Sequence, residues 1–282
     1  MLVIDPKELP IPQLHQYLIG SVGPRPICFA STVDANGVPN LAPFSFFNVF
    51  SANPPILVFA PNNSGRTGQP KHTLLNVKEV PEVVINVVTE SMVEQMNVAA
   101  APWDKGVSEF EKAGFTPVQS DLVKPFRVAE SPSQIECKVI EIKEMGVGGG
   151  AGNLVICQVV RIHIKDEVLN DENKIDQRKM KLVGRLGASW YSKTDDAALF
   201  ELAQPMSPTL GYDGLPDYVR LSDNLNGNEI GKLASLASMP DEITINDVSK
   251  ERNMGDEWSQ IKSYLNSGDY NKALALLQLL HQ

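Results

Sequence analysis

Alternating apolar and polar positions predict β-strands through the first part of the chain. The runs at 27–33, 38–50, 56–61 and 82–88 are rich in β-branched and aromatic residues. The tetrapeptide Asp-Ala-Asn-Gly separates the first two runs and favours a tight turn. Pro43 lies inside the second run, where it would interrupt the hydrogen bonds of a central strand.

Two longer alternating runs, 135–143 and 154–164, predict a pair of long strands. A glycine-rich segment at 146–152 joins them. A dinucleotide-binding glycine loop would have to open a helix, whereas the residues that follow here are β-branched and alternate. The segment is therefore predicted to be the tip of a β-hairpin, and such a tip could border a ligand site.

Helical patterns in this part of the chain are short and fall between the strands. They are predicted within a lead-in at 9–20, within 67–80, at 90–100, and at 107–113, where Gly114 suits a left-handed C-terminal cap. Strands with helices confined to the connections, and without βαβ alternation, indicate a mainly β fold. We expect a β-barrel rather than a doubly wound sheet.

Beyond residue 214 the pattern becomes helical. Apolar spacing predicts helices at 226–239, 257–265 and 270–281. Residues 267–274 resemble half of a tetratricopeptide repeat, and one copy cannot form a solenoid. The sequence thus predicts a barrel domain at 1–214 and a helical C-terminal extension at 215–282 that packs on the barrel or on a neighbouring subunit.

Composition and charge indicate which classes of partner and which cell compartment to expect. The chain has 282 residues and a formal charge of −9, which disfavours a general nucleic-acid surface. No apolar run is long enough to span a bilayer, and the N-terminus lacks a secretory signal. The 3 cysteines lie in apolar runs without close pairing, so we expect buried thiols in a reducing cytoplasm. No histidine–cysteine cluster has zinc spacing, and no metal site is predicted.

The segment 42–48, Ala-Pro-Phe-Ser-Phe-Phe-Asn, holds the first candidate chemistry. Its aromatic faces and polar edges suit a flat heteroaromatic ligand. The alternative is a barrel strand whose phenylalanines fill the core.

Several motifs, in this order and spacing, resemble the flavin reductase-like family: Pro-Arg-Pro at 24–26, Ala-Ser-Thr at 30–32, Asp34 with Gly37, the run 40–48, and Pro-Pro at 54–55. That family comprises FMN-binding split barrels related to flavoredoxin and to the reductase components of two-component monooxygenases. The resemblance covers roughly 11–208. It implies an FMN-binding split β-barrel, a homodimer with one site near each subunit interface, and NADH or NADPH as the hydride donor. Reduced flavin would then serve a partner oxygenase or another electron acceptor.

The family resemblance and the residue chemistry together suggest which residues bind the cofactor. A loop that enters a helix near Pro70 would present free backbone N–H groups to the phosphate. The predicted phosphate contacts are Arg66, Thr67, Lys71, His72 and Thr73. The predicted flavin-ring contacts are Ser31, Thr32, Ser45, Phe46, Phe47 and Asn48. His72 stands where the family typically has an acidic residue, and Arg66 and Lys71 could instead be solvated surface charges.

Further candidates lie outside these two sets. Arg25 could reach the phosphate or the pyridine nucleotide, or it could be a packing or interface arginine. Arg185 and Gly187 belong to a segment that resembles the family's closing glycine–arginine motif. Residues 102–110, with Trp103 and Glu109, are interpreted as a lid or a substrate-side loop. His163 is assigned no functional cluster.

No catalytic acid or base is predicted, because the hydride chemistry belongs to the cofactor. Three alternatives stay open. A flavoredoxin-like carrier would take electrons from a protein, a binding module would hold flavin without turnover, and a pyridoxine-phosphate-type oxidase would need a second basic pocket that the sequence does not reveal.

Overall fold

The computed structural model describes residues 1–281. Contacts divide the chain into two compact units, Met1–Phe200 and a unit that starts at Glu201. The division falls earlier than the predicted boundary at 214. One reason is that the Leu210 backbone N–H donates to the Leu236 carbonyl oxygen at 2.7 Å, which joins this stretch to the helices.

The elements of residues 1–281 follow the predicted order closely. The strands are β1 (Cys28–Val33), β2 (Pro39–Phe44), β3 (Phe47–Ala52), β4 (Pro55–Phe59), β5 (Glu82–Val87), β6 (Pro117–Val118), β7 (Arg127–Val128), β8 (Ser133–Glu144), β9 (Asn153–Ile164), β10 (Val183–Arg185) and β11 (Tyr191–Lys193). The helices are α1 (Ile11–Ser21), α2 (His72–Glu79), α3 (Val93–Ala99), α4 (Glu109–Ala113), α5 (Gln177–Met180), α6 (Asp217–Arg220), α7 (Gly227–Ala234), α8 (Glu242–Glu251), α9 (Glu257–Ser267) and α10 (Tyr270–Leu280).

The main sheet closes on itself through one bent strand. Its order is β2-β1-β5-β8-β9-β4-β3, and each neighbouring pair is antiparallel. The two outermost strands therefore run in the same direction, and only Ser45 and Phe46 separate them in the chain. The first half of this long strand pairs with β1 and the second half with β4. The predicted mainly β barrel, with helices in the connections and a helical C-terminal region, is confirmed. The single strand predicted at 38–50 is divided at the bend.

The hairpin of β8 and β9 confirms the reading of the glycine-rich segment. Both strands have 12 residues, and the glycines lie in the connection between them. Gly114 also has the predicted role, since it caps α4 with a left-handed φ of 72°.

Side chains alternate along β1, so this strand contributes residues to two apolar clusters. Phe29 belongs to one cluster, with Leu41 and Met96, while Cys28 and Ala30 belong to the other. The three cysteines are buried and free, as predicted. Burial raises the pKa of the Cys137 thiol to about 12, so this thiol stays protonated at neutral pH.

The helical unit has an apolar core of its own, formed by residues such as Leu233, Val248, Ile261 and Leu274. Helix α8 was not predicted, because its sequence alternates like a strand. Its available signal was Asp241, whose side chain accepts from the Thr244 N–H at 2.8 Å as an N-cap. Within residues 1–281, no helix has both the length and the apolar character needed to cross a membrane.

Candidate functional site

The bend between β2 and β3 lies beside the end of β4. The Ala60 N–H donates to the Phe46 carbonyl oxygen at 2.9 Å, and Phe47 pairs with Phe59. Phe46 and Asn48 are exposed, whereas Phe47 packs against a core cluster. The fold thus brings the predicted ring contacts of the bend next to the segment that leaves β4.

That segment, residues 61–71, is named the Arg66 loop. The Ser64 side chain accepts from the Thr67 N–H at 3.3 Å, and the Gly68 N–H donates to the Ser64 carbonyl oxygen at 2.8 Å. These bonds close a tight turn around Arg66. The side chains of Arg66 and Lys71 are exposed and available to a ligand.

Helix α2 begins directly after the Arg66 loop. Lys71 is its N-cap residue, and no side chain within residues 1–281 caps the helix. The N–H groups of Leu74 and Leu75 both donate to the Lys71 carbonyl oxygen, so the preceding N–H groups of the first turn are left for another acceptor. Two basic side chains beside an uncapped helix start form an arrangement that suits a phosphate dianion.

Two buried side-chain pairs fasten α2 to the barrel. The Asn40 amide donates to the Thr73 hydroxyl at 3.0 Å, and the Asn76 amide donates to the Thr32 hydroxyl at 3.2 Å. Sequence reasoning missed both asparagines as partners of these threonines. The cofactor contacts predicted for Thr32 and Thr73 stay predictions, but both hydroxyls already have a buried partner in the protein.

Two buried polar side-chain atoms of the barrel unit have no hydrogen-bond partner within residues 1–281, although buried polar groups are usually paired. One is the Ser31 hydroxyl oxygen, and the other is the side-chain oxygen of Asn62 in the Arg66 loop. Ser31 and Thr32 face opposite sides of β1, because side chains alternate along a strand. They cannot contact one ligand with their side chains from the same face. The Asn62 oxygen is an acceptor that a ligand hydroxyl could satisfy.

Arg25 connects α1 with a segment late in the barrel unit. Its guanidinium donates to the carbonyl oxygens of Ile19 at 2.7 Å, of Val22, and of Leu186 at 3.0 Å, and to the Ser45 hydroxyl at 3.4 Å. These contacts favour the packing alternative for Arg25. The bond to Ser45 also places the Arg25 side chain next to the bend.

Two other candidates, Arg185 and Gly187, lie close to Arg25 and α1. The backbones of Arg25 and Arg185 exchange hydrogen bonds of 2.8 and 2.9 Å, and the Arg185 guanidinium lies 4.5 Å from the centre of the Tyr191 ring. Burial, together with the charge of Arg185, lowers the pKa of Arg25. A Cβ on Gly187 would come within 3.1 Å of the Gly20 Cα, so this glycine allows α1 to approach closely. Cofactor contacts by Arg185 and Gly187 stay predictions.

Helix α1 contacts both the hairpin connection and the bend. Near its start, Ile11 lies against Gly150 of the hairpin connection, so that a Cβ on the glycine would be 3.4 Å from Ile11 Cγ2. The rings of His15 and Phe46 meet edge to face with centres 6.1 Å apart. The exposed aromatic of the bend therefore lies beside this helix.

The predicted lid is tied to the barrel. Glu109 is buried, and its carboxylate accepts from the Leu41 N–H at 2.9 Å. Burial raises the pKa of Glu109. The Trp103 indole donates to the Val98 carbonyl oxygen at 3.2 Å. These contacts give Glu109 a structural role at the edge of β2.

A cavity of about 430 Å³ lies elsewhere on the barrel unit. Its lining mixes acidic and basic side chains, including Glu90, Glu130, Lys179 and Lys181. The cavity shares no residue with the bend or the Arg66 loop. The candidate site is assigned to the bend and the Arg66 loop because of the side chains and N–H groups found there.

His163 belongs to a cluster that sequence reasoning did not find. Ligand atoms of Asp121, Glu136 and His163 lie within 4.8 Å of one another. The buried Glu136 carboxylate accepts from the N–H groups of Asp121 at 2.9 Å and Leu122 at 2.7 Å and lies 2.7 Å from His163 Nε2. The three side chains come from positions distant in sequence, so a pattern along the chain could not indicate their proximity.

Glu136 is expected to link stability to pH. Burial alone would raise its pKa, but hydrogen bonds from Asp121, His163 and Leu122 outweigh burial and lower the pKa. Its stabilisation is therefore present above the unfolded pKa of about 4.3 and is lost as pH falls through the lower folded value. Glu136→Gln should lower the free energy of unfolding at pH 7, and urea titrations should show this difference shrinking at acid pH. A difference that does not change with pH would contradict this role.

Comparison with known proteins places this geometry in a family. Residues 21–181 match the family described as flavin reductase like domain. An uncharacterised protein of Halalkalibacterium halodurans is 37% identical over 204 residues, which are 72% of this chain and 96% of that protein.

Two solved structures are similar in fold and in sequence. Nitrilotriacetate monooxygenase component B from Bacillus cereus has 32% identity and a TM-score of 0.67, with coverage of 72% of this chain and 98% of that chain. A Shewanella frigidimarina protein with a split barrel domain has 25% identity and a TM-score of 0.59, with coverage of 70% and 96%. The closed sheet with its bent strand, and the matches along most of the barrel unit, show that this chain belongs to the flavin reductase-like family.

Proposed function

We propose that this chain binds FMN at the bend and the Arg66 loop, reduces it with NADH or NADPH, and supplies a partner oxygenase or another electron acceptor. The observation that carries this proposal is the convergence of two exposed basic side chains and an uncapped helix start beside an exposed aromatic bend. Membership of a flavin reductase-like family supports it.

The residues present fit the parts of FMN. Arg66, Lys71 and the first N–H groups of α2 would hold the phosphate. The unpartnered Asn62 oxygen would accept from a hydroxyl of the ribityl chain. Phe46 and Asn48 would meet the ring with an aromatic face and a polar edge.

The remaining predicted contacts stay part of the proposal with a more indirect role. They would shape the walls of the site: Arg25, Ser31, Thr32, Ser45, Phe47, Thr67, His72, Thr73, Arg185 and Gly187.

When bound, FMN supplies the hydride-accepting and electron-donating chemistry. The chain needs only to anchor the phosphate, orient the ring and leave one face open to the nicotinamide. A site built from phenylalanine, amide and basic groups meets these needs without a catalytic acid or base.

The exposed apolar surface supports a homodimer. None of the described residues of α1 is buried, although the helix carries Ile11 and Leu18. On β3, Val49 and Phe50 are 64% and 67% exposed. Large exposed apolar surfaces are typical of sites that bind another protein. Because β3 begins at the bend and α1 contacts it through His15 and Phe46, we propose that a second copy covers this surface beside each flavin site.

The proposal is tested with the purified full chain. FMN should bind saturably, and consumption of NADH or NADPH should depend on added FMN. Comparing the two nucleotides at equal concentration would identify the preferred donor. Tight FMN binding without consumption of either nucleotide would select the flavoredoxin-like carrier instead, and failure to bind FMN would overturn both.

A further inference from the structure

We propose that the glycine-rich tip of the β8–β9 hairpin, residues 146–152, is a template that sets the conformation of the Arg66 loop and thereby positions the phosphate contacts. This segment is named the glycine tip. The inference rests on the proposed function for the identity of the ligand, but its structural part can be tested without FMN.

Backbone hydrogen bonds join the two segments. The Asn63 N–H donates to the Ala151 carbonyl oxygen at 3.0 Å, and the Gly150 N–H donates to the Asn63 carbonyl oxygen at 3.1 Å. The Asn63 amide side chain adds a third bond, to the Gly148 carbonyl oxygen at 3.3 Å. One residue of the Arg66 loop is thus held by three residues of the glycine tip.

Asn153, the first residue of β9, holds the beginning of the same loop. Its buried side-chain amide donates to the Pro61 carbonyl oxygen at 3.1 Å and to the Asn63 side-chain oxygen at 3.0 Å. The second bond also fixes the orientation of the Asn63 amide. A strand of the closed sheet therefore holds the loop through a buried polar network.

Close backbone approach explains why a glycine lies at the contact. A Cβ on Gly149 would lie 3.1 Å from the Gly65 carbonyl oxygen and 3.3 Å from that of Ser64. A Cβ on Gly68 would lie 3.6 Å from the Gly149 nitrogen. Backbone therefore packs on backbone on both sides of Arg66, and a side chain on Gly149 would have to displace the loop.

Such a displacement matters because binding groups must be held within about 0.5 Å of their productive positions. Arg66 follows Gly65 directly, so a shift of the Gly65 carbonyl group moves the arginine backbone. The sheet would in this way fix the backbone position of Arg66, whose exposed side chain is flexible. The glycine tip does not form a dinucleotide-binding loop, and its proposed role is to position the ligand contacts.

The matched pair Gly149→Ala and Gly146→Ala tests the inference. Both glycines have ordinary backbone φ values, but a Cβ on Gly146 meets only the Ala151 Cβ, at an unstrained 3.8 Å. Affinities for FMN and for riboflavin, which lacks the phosphate, are measured by fluorescence titration. We expect Gly149→Ala to bind FMN about tenfold more weakly and riboflavin with a clearly smaller loss, because Gly149 packs on Ser64 and Gly65, next to the phosphate contact Arg66. Gly146→Ala should bind both like the unaltered protein.

Hydrogen exchange in the FMN-free protein gives a second readout. The N–H groups of Ser64 and Gly68, which close the loop turn at 2.8 Å, should exchange faster in Gly149→Ala and not in Gly146→Ala. Asn153→Ala removes the polar bonds without adding bulk and should change exchange in the same direction, which keeps the test open if Gly149→Ala folds poorly.

Each result is decisive. Unchanged exchange in Gly149→Ala and Asn153→Ala would overturn the template, as would equal losses of FMN and riboflavin affinity. Faster exchange with unchanged FMN affinity would overturn the positioning role. If the unaltered protein does not bind FMN, the proposed function fails, while the exchange experiment still decides whether the glycine tip sets the loop.

Discussion

Replacing both Arg66 and Lys71 with alanine is expected to weaken FMN binding by about two orders of magnitude or more. A hydrogen bond to a charged group contributes about 1.5–3 kcal/mol, so loss of two such contacts with the phosphate exceeds a hundredfold change in affinity. Both side chains are exposed, and surface charges contribute little to folding. Fluorescence titration with FMN should therefore show the loss while the melting temperature changes little.

The control is a second exposed arginine–lysine pair on the same unit. Arg178→Ala combined with Lys174→Ala removes the same formal charge away from the Arg66 loop. This variant should keep its FMN affinity, which separates local contact from a general change in net charge. An unchanged dissociation constant in the Arg66 and Lys71 variant would move the phosphate site elsewhere.

Phe50→Glu is expected to convert the proposed homodimer into a monomer and to weaken FMN binding at the same time. The substitution places an unpaired carboxylate in an apolar interface, where burying an uncompensated charge costs several kcal/mol. Phe50 lies two residues beyond Asn48 on β3, so separation of the subunits would expose the flavin site to solvent. Sedimentation equilibrium measures the subunit state, and FMN titration of the same samples measures the linked loss.

Leu221→Glu provides a matched control, because Leu221 has a similar exposed fraction of 66% and lies in the helical unit. This variant should stay dimeric and keep its FMN affinity. A monomeric unaltered protein, or a Phe50→Glu protein that stays dimeric, would contradict the proposed interface.

Local patterns predicted much of the barrel. The alternation in 135–143 and 154–164, with glycines between, is sufficient to predict a hairpin, because pairing in a hairpin depends on neighbouring residues. Gly114 could be predicted as a helix cap for the same reason. The barrel and the FMN hypothesis also relied on motif resemblance, since composition alone could not separate a core phenylalanine from a ligand contact.

The partners of single side chains could not be predicted, because they come from distant parts of the chain. The Thr32 hydroxyl on β1 accepts a hydrogen bond from the Asn76 amide on α2. The buried Glu136 carboxylate contacts His163 on the neighbouring strand. The unpartnered oxygen of Asn62 is a property of its surroundings and has no counterpart in sequence pattern. Helix α8 was missed because its apolar residues alternate locally, while its core contact through Val248 is made by tertiary packing.

In the proposed binding mode, the Arg66 loop holds FMN by its phosphate and the ring lies at the bend. A crystal structure of the full chain with FMN tests this most directly. We expect the phosphate within hydrogen-bond distance of Arg66 and the first N–H groups of α2, and the ring beside Phe46 and Asn48 near the proposed subunit interface. A phosphate bound away from the Arg66 loop, or a ring bound away from the bend, would contradict it.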